Sequence, residues 1–460
     1  MPMLVKAMDD LPRPLLLEIL SRLGDQADLA RCRVASKTLN AISRDLESLS
    51  FICTYDRYAK SLSPPACSSI TPFKQIFLKL VSDLRIVKSL SIGIDISPRS
   101  TASFEDVGDK DDLYLTDVNF VEKWLPRLSE CLKSVSISDF WLQSSRRRSS
   151  VLVLISSLCY NLVNLEIKKT WLSVSGLKPM PNLTSLTLDL VRLDDEDLDK
   201  ICECFPGLQV LNLRVVGQLK DPQVRFLNLR SCNWTLVCAP NSVAVVAPKL
   251  QKLKIDCTRQ NLLVLNAPTL EEMHLCILES SRYMVGELLK LKSIYLESME
   301  LHNLIQRAFP YVNSVRSLTL WATHSVERTG TCVCLGSLSR NFPNLETLTL
   351  SPRVWSELEG HLCPGCLEVR TDNNLAELQC IIAYLVLNNV DSTLSFITAV
   401  AGSCPGLKEM ALLIHRDVVS CVSRNVIAKC EAYCPRIRWR WGMWKEGTQD
   451  VWISDQLKSS

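Results

Sequence analysis

The sequence predicts an α/β solenoid, with a parallel concave β-sheet and outer helices, placed behind a small N-terminal helical module. Three observations lead there. A proline, one residue and then Leu-x-x-Leu-x-Leu, as in Pro343-Asn344-Leu345-Glu346-Thr347-Leu348-Thr349-Leu350, returns at irregular intervals of roughly 20 to 45 residues, a spacing that marks stacked repeats. In each tail apolar and polar residues alternate: Leu348 and Leu350 share one face of a short strand, while Thr347, Thr349 and Ser351 share the other. At 460 residues the chain also exceeds what one compact core usually fills. A single unit cannot bury its apolar face alone, so the units are expected to stack into a horseshoe with a solvated concave sheet.

The first element is the helical module, residues 9–44. Leu15, Ile19 and Leu23 fall at i, i+4 and i+8, one stripe of an amphipathic helix, with Leu16 and Leu20 beside them. After a break at Gly24, Asp28 is expected to cap a second helix running from Leu29 to Val34, and Ser36 a third. Three short helices cannot bury all of these leucines among themselves, which leaves apolar surface for a partner. Residues 45–75 read as a linker, with turn formers concentrated in Ser61-Leu62-Ser63-Pro64-Pro65-Ala66-Cys67-Ser68-Ser69.

The solenoid follows over residues 76–441, with a C-terminal tail at 442–460. Its first strand is expected at Val87–Ile92 and its second at Leu132–Ile137, separated by a polar surface loop around Glu105, Asp106, Asp109, Asp111 and Asp112. Further units begin at Leu162, Leu183, Leu208, Leu250, Leu270, Leu291, Val315, Leu345, Ile382 and Leu407, with a degenerate one near Val224. That is about a dozen, well past the three a stable stack needs. Asp194-Asp195-Glu196-Asp197-Leu198-Asp199-Lys200-Ile201-Cys202 reads as an outer helix, acidic at its start as the helix dipole favours. The Asn or Cys expected three residues after the third apolar position is absent, as at Val191, Val216 and Arg353, so the usual interior ladder is not expected.

Leu11-Pro12-x-x-Leu15-x-x-x-Ile19-Leu20-x-x-Leu23, then Asp28-Leu29 and Val34-x-Ser36-Lys37, resembles the F-box, the three-helix module that docks on a Skp-type adaptor in cullin-RING ubiquitin ligases. Joined to leucine-rich repeats, it makes the whole chain similar to F-box/leucine-rich-repeat proteins of the irregular plant type. Two positions depart from the pattern: Leu39 stands where an aromatic residue is usual, and Ala35 where a Cys is common. The resemblance implies adaptor contacts at Leu11, Pro12, Leu15, Ile19, Leu20, Leu23, Leu29, Val34, Ser36, Lys37 and Leu39. It also implies a cullin held through the adaptor, a protein substrate on the repeats, and a cytoplasmic or nuclear location.

Composition argues against several other chemistries. Net charge is only +3, too balanced to point to nucleic acid or a membrane by bulk electrostatics. The 20 cysteines are scattered without a compact framework, and the apolar run Leu15-Leu16-Leu17 is too short for a secretory leader, so they are expected to be reduced core residues. His361-Leu362-Cys363-Pro364-Gly365-Cys366 offers three zinc-binding side chains where a structural site needs four, and no second Cys-x-x-Cys pair completes it. Neither phosphate-binding glycine motif occurs. No cofactor, metal or catalytic group is expected, and the chain reads as a non-enzyme. A repeat scaffold that binds without degradation is the alternative, and an RNA-binding solenoid a more distant third.

The outward positions suggest where a substrate would sit. Early strands offer Ser89, Ser91, Ser134, Ser136, Ser138, Ser185 and Thr187, whereas later ones offer Lys252, Lys254, Asp256, Glu272, His274, Tyr295, Glu297, Thr319 and Trp321. Aromatic and charged groups on one sheet face are the usual makings of a binding hot spot. In Arg436-Ile437-Arg438-Trp439-Arg440-Trp441, read as the last strand, alternation sends the apolar residues inward to close the core. It sends Arg436, Arg438 and Arg440 outward as three aligned guanidinium groups able to grip phosphate or carboxylate.

Overall fold

The structure, a computed structural model, describes residues 11–23, 26–61, 72–95, 111–140, 146–217, 219–323, 333–360 and 375–453. It divides into two compact units, Met1–Cys238 and Ala239–Ser460. The expected turn at His361–Cys366, the serine-proline stretch at 62–69 and Glu105, Asp106 and Asp109 lie outside the described residues.

Unit 1 opens with three helices, α1 (Arg13–Ser21), α2 (Gln26–Ala35) and α3 (Lys37–Ser43), in which α1 and α2 pack on α3. Ser36 caps α3 as expected, its hydroxyl accepting from Leu39 N at 3.2 Å. Asp28 does not cap α2: it lies inside the first turn and pairs with Arg31 at 2.5 Å. The stretch read as a linker holds β1 (Ser48–Thr54) and the helix Tyr55–Ser61, so the ladder begins before residue 76. Its sequence gives no leucine-repeat signal, but Ser48 to Thr54 pair residue for residue with the next strand, β2 (Ser89–Asp95).

From β2 the ladder continues in parallel through β3 (Ser134–Ser138), β4 (Asn164–Lys168), β5 (Ser185–Val191), β6 (Val210–Val215) and β7 (Ser231–Leu236). Register aligns the inward residues into rows. Leu90, Val135, Leu165, Leu186, Leu211 and Cys232 form one row, and Ile92, Ile137, Ile167, Leu188, Leu213 and Trp234 the next, all buried. Each such side chain contributes about 1.5 to 3 kcal/mol of apolar burial, which is why two inward positions per strand suffice to hold the stack. The helix Asp195–Cys204 has a reciprocal capping box between Asp194 and Asp197.

In unit 2, β8 (Ser242–Val246), β9 (Lys252–Asn266), β10 (Glu272–Val285), β11 (Ser293–Ser298), β12 (Ser317–Ala322), β13 (Thr347–Leu350), β14 (Cys380–Leu385), β15 (Glu409–His415) and β16 (Arg438–Trp444) pair in parallel, each with the next. A short β17 (Val451–Trp452) then turns back antiparallel on β16. The tail expected from residue 442 is therefore part of the sheet. The unit expected to start at Ile382 starts instead at Leu378: Leu378, Ile381 and Ala383 are buried, and Ile382 faces outward. At the far end Trp439 and Trp441 take the inward rows, with rings 5.6 Å apart and stacked, over buried Ile437.

In four units the residue just before the first leucine does unexpected work. Asn161 donates to Glu130 O at 3.0 Å, Asn182 to Tyr160 O at 2.9 Å, Asn228 to Pro206 O at 3.0 Å and Asn344 to Asn313 O at 2.8 Å. An amide ladder thus exists, but at the turns rather than inside. Where glycine holds this position the preceding turn comes closer. A Cβ on Gly207 would collide with the carbonyl of Pro181, and one on Gly406 with that of Ala376. Overpacking of this kind costs about 1 to 3 kcal/mol or more, so Gly406→Ala is expected to destabilise unit 2 by that amount. Denaturant titration followed by tryptophan fluorescence checks it, with Gly402→Ala, which meets open space, as the neutral control.

Candidate functional site

Two surfaces carry the candidate residues. On α1 the apolar positions divide by helical geometry: Leu16 and Leu20 are buried with Leu29, Leu39 and Ile42, whereas Leu11, Leu15 and Ile19 stand 37%, 47% and 38% exposed. Spacing of four residues puts these three on one side of the helix and its lead-in. Val34, at 89%, is the most exposed large apolar residue of the module. Pro12 and Lys37 are exposed and Leu23 half-buried. Leu20, Leu29 and Leu39 therefore hold the module together instead of facing a partner, and Ser36 is spent on its cap.

The module is tied to the first repeats. Asp45 pairs with Arg13 of α1 and, at 3.1 Å, with Arg85 just before β2. Arg33 of α2 donates to Ser43 at 2.8 Å and faces Asp83 at 3.8 Å. Arg85 N also donates to Arg44 O at 3.0 Å. Backbone and side chains thus tie the module to the first repeats where a linker was expected. Asp112, expected in a solvated acidic loop, is buried and accepts from Lys74 N at 3.2 Å.

The second surface is the outward face of the sheet in unit 2. One register row reads Lys252, Glu272, Ser293, Ser317, Thr347, Cys380, Glu409, Arg438, and the next Lys254, His274, Tyr295, Thr319, Thr349, Ile382, Ala411, Arg440. A third begins Asp256, Cys276, Glu297, Trp321. The expected residues are brought together here, with Arg436 the exception. It occupies the turn position before Ile437 and its guanidinium donates to Ala401 O, so the three arginines are not aligned. Nor are the other two free for an anion: Glu409 lies 3.9 Å from Arg438 and 3.4 Å from Arg440, and Arg440 also covers the Trp452 ring at 4.4 Å.

Within the rows the side chains are ordered by contact. His274 stacks on Tyr295 at 4.0 Å, and the Tyr295 hydroxyl donates to Glu297 at 3.0 Å. Burial, helped by the nearby Lys254, holds His274 below its ordinary range, so the ring is neutral at pH 7. Trp321 meets Tyr384 edge-on at 5.4 Å, Tyr384 meets Trp444 at 5.6 Å, and Trp444 meets His415 at 4.7 Å. Tyr384, whose hydroxyl donates to Asp450 at 2.9 Å, was not among the expected residues. Reading the unit from Leu378 instead of Ile382 would have placed it outward, beside Trp321.

Unit 1 presents a different face. Ser136 donates to Glu166 at 2.5 Å, Lys168 pairs with Glu166 at 2.8 Å, and Asn212 donates to Thr187 at 3.1 Å. These polar groups satisfy one another, and the outward positions of the described strands from β2 to β6 carry no aromatic residue.

Among the described residues no group of three or more His, Cys, Asp or Glu is placed to hold a metal ion, and no helix is long and apolar enough to cross a membrane. The thiols of Cys159, Cys202 and Cys232 are pushed up to about 12, chiefly by burial, which suits packing and not nucleophilic chemistry. Residues 8–50 match the F-box-like family. Across 451 residues, 97% of this chain and all of the relative, the sequence is 43% identical to an F-box/LRR-repeat protein of Arabidopsis thaliana. A helical module with an exposed Leu11–Leu15–Ile19 stripe, a parallel repeat sheet behind it and a match of that extent have one common explanation: the chain belongs to the F-box/LRR-repeat proteins.

Proposed function

We propose that the chain is a substrate receptor of an SCF-type ubiquitin ligase. Leu11, Pro12, Leu15, Ile19 and Val34 dock on a Skp-type adaptor that leads to the cullin, and the sheet face of unit 2 holds a protein substrate. The observation that carries this reading is the split of α1 into a buried side that builds the module and an exposed apolar side with no partner among the described residues. An apolar stripe of this kind is kept exposed at a cost and marks an interface. The chain supplies proximity: tethering the substrate raises its effective concentration near the transfer machinery, so no catalytic group is required of this subunit. Such a role would place the protein in the cytoplasm, the nucleus or both.

The test is affinity purification of the tagged full-length protein from cells in which cullin activity is blocked. A Skp-type adaptor and a cullin are expected with the intact chain, together with proteins that accumulate under the block. Tyr295→Ala with Trp321→Ala is expected to lose those accumulating proteins by tenfold or more while keeping the adaptor, since anchors of this type commonly carry about 2 kcal/mol each. Ser134→Ala with Ser136→Ala should alter neither. Absence of the adaptor from the intact chain's complex would overturn the receptor reading.

A further inference from the structure

The far end of the unit 2 sheet is occupied by the chain itself. After β16 the backbone reverses in a turn closed by Thr448 N donating to Lys445 O at 3.1 Å, with Gly447 in the left-handed region at φ +70°. β17 then returns along the edge, held by two register pairs, Gly442 with Trp452 and Met443 with Val451. Side chains of this strap, residues 445–453, reach back over the outward face. Asp450 accepts from the Tyr384 hydroxyl of β14 at 2.9 Å, Glu446 lies 3.2 Å from His415 of β15, and the Trp452 ring lies under Arg440 at 4.4 Å. Arg416 donates to Gln449 O at 3.0 Å, and Lys445 faces Asp417 at 3.7 Å.

The place that receives Trp452 is built for it. Tyr384, Leu413 and Gly442 are register neighbours on β14, β15 and β16, in an outward row, yet Leu413 is fully buried. A Cβ on Gly442 would lie 3.0 Å from the Trp452 ring, 3.1 Å from Val451 O and 3.4 Å from Leu413, so the missing side chain is what makes room for the indole. Arg440 covers the ring from the next outward row, where a cation gains from the π face. Tyr384 also meets Trp321 edge-on at 5.4 Å, which makes the seat continuous with the surface proposed for the substrate. The strap is lightly held: its ion pairs, Lys445 with Asp417 and Glu446 with His415, involve largely exposed carboxylates, where such pairs contribute little.

We infer that residues 445–453 are an autoinhibitory strap, in which Asp450 and Trp452 stand in for a segment of the protein substrate. The segment that displaces it carries an acidic residue and, two positions on, an aromatic one. Two residues apart is the spacing that sets both side chains on one side of an extended chain, the acid toward the Tyr384 hydroxyl and the ring over Gly442. Displacement exchanges one aromatic burial and one hydrogen bond for equivalents from the substrate, so the strap screens out segments that lack either group.

This inference rests on unit 2 being the substrate surface, and the test separates the two. Full-length protein carrying Asp450→Ala with Trp452→Ala is purified from cells under the same cullin block. Emptying the seat should raise capture of the accumulating proteins on the order of tenfold with the adaptor unchanged, because a surface open only part of the time binds more weakly by that fraction. Arg416→Ala loosens the strap's turn but leaves Tyr384, Gly442 and Arg440 in place, so it should shift capture the same way by less. A synthetic peptide with the sequence of residues 446–453 should release the captured proteins from the double variant, and its analogue with alanine for tryptophan should not. Capture unchanged or lowered in the double variant at a retained melting profile would overturn the strap, as would a peptide that releases nothing. Should the double variant melt early, Arg416→Ala decides by the same criterion. If the parent protein captured no accumulating proteins at all, the receptor reading would fail, and a labelled copy of the peptide would still test the strap. Binding to the double variant on the order of tenfold tighter than to the parent would support a seat closed by its own chain, and equal binding would overturn it.

Discussion

Leu15→Asp with Ile19→Asp is expected to abolish adaptor capture, by more than about thirtyfold, while leaving the melting profile of the protein unchanged. Both side chains are largely outside the module's own core, at 47% and 38% exposure, so a carboxylate there remains solvated in the free protein. In a complex the same carboxylate would be buried against apolar surface. The loss of two burials of about 1.5 to 3 kcal/mol is then compounded by an unpaired charge. Leu16→Ala or Leu20→Ala should behave in the opposite manner. These residues are 1% and 3% exposed, and truncation at such sites costs about 2 to 5 kcal/mol of stability, so adaptor binding falls only because the module loosens. Calorimetric titration with purified Skp-type adaptor, beside hydrogen exchange over residues 13–43, distinguishes the two cases. Binding of the aspartate pair within a few-fold of the parent would show that this face is not the dock.

Much of the solenoid was legible because its signal is periodic and repeated. Leu186 and Leu188, or Leu318 and Leu320, can face inward only if the residues between them face out, and the register bears this out strand after strand. Where a strand lacked the leucines it was missed. Ser48–Thr54 and Ser242–Val246 are held by pairing with neighbours, a tertiary cause with no local mark. The polar stretch Thr258-Arg259-Gln260-Asn261 looks like the end of a strand, yet β9 runs through it to Asn266 because the parallel β10 beside it runs equally far.

The F-box module was legible as a segment, but which of its residues stay exposed was not legible residue by residue. Apolar residues occur on both sides of α1, so periodicity alone could not say that Leu15 faces out and Leu16 in; that depends on where Leu29 and Leu39 pack. The arginine run failed for a related reason. Alternation holds only inside a strand, and Arg436 precedes the strand that begins at Arg438. The outward placement of Lys252, Lys254, Glu272, His274 and Tyr295 was legible from alternation, with the charge matching hidden: only contacts show that Lys252 is paired with Glu272.

Asp139→Ala is expected to be among the most damaging substitutions in unit 1, costing about 3 kcal/mol or more against the 5 to 15 kcal/mol that a domain typically has. The Asp139 side chain is fully buried and accepts from Leu115 N at 2.8 Å, Thr116 N at 3.1 Å, Phe140 N at 3.0 Å and the Thr116 hydroxyl. The same hydroxyl lies 3.1 Å from that of Thr170, and Ser149 donates to Thr116 O at 2.5 Å. These groups link the segment at 115–116, the end of β3 and the turn after β4, a polar staple in the interior where an amide ladder was not expected. Removing the carboxyl leaves buried donors with nothing to replace it. Burial raises its pKa to about 6, although the four donors favour the ionised form. In the unfolded chain the group titrates near 3.8, so between the two values the folded state binds the extra proton. Stability from this group is therefore fully present below about pH 4 and declines by roughly 3 kcal/mol as pH rises through 6. The destabilisation caused by Asp139→Ala should accordingly be larger at pH 4 than at pH 6.5. Native-state hydrogen exchange at Leu115 and Thr116, measured for both proteins at the two pH values, reads this directly. A difference that grew with pH would mean that Asp139 is held as a carboxylate by its donors throughout.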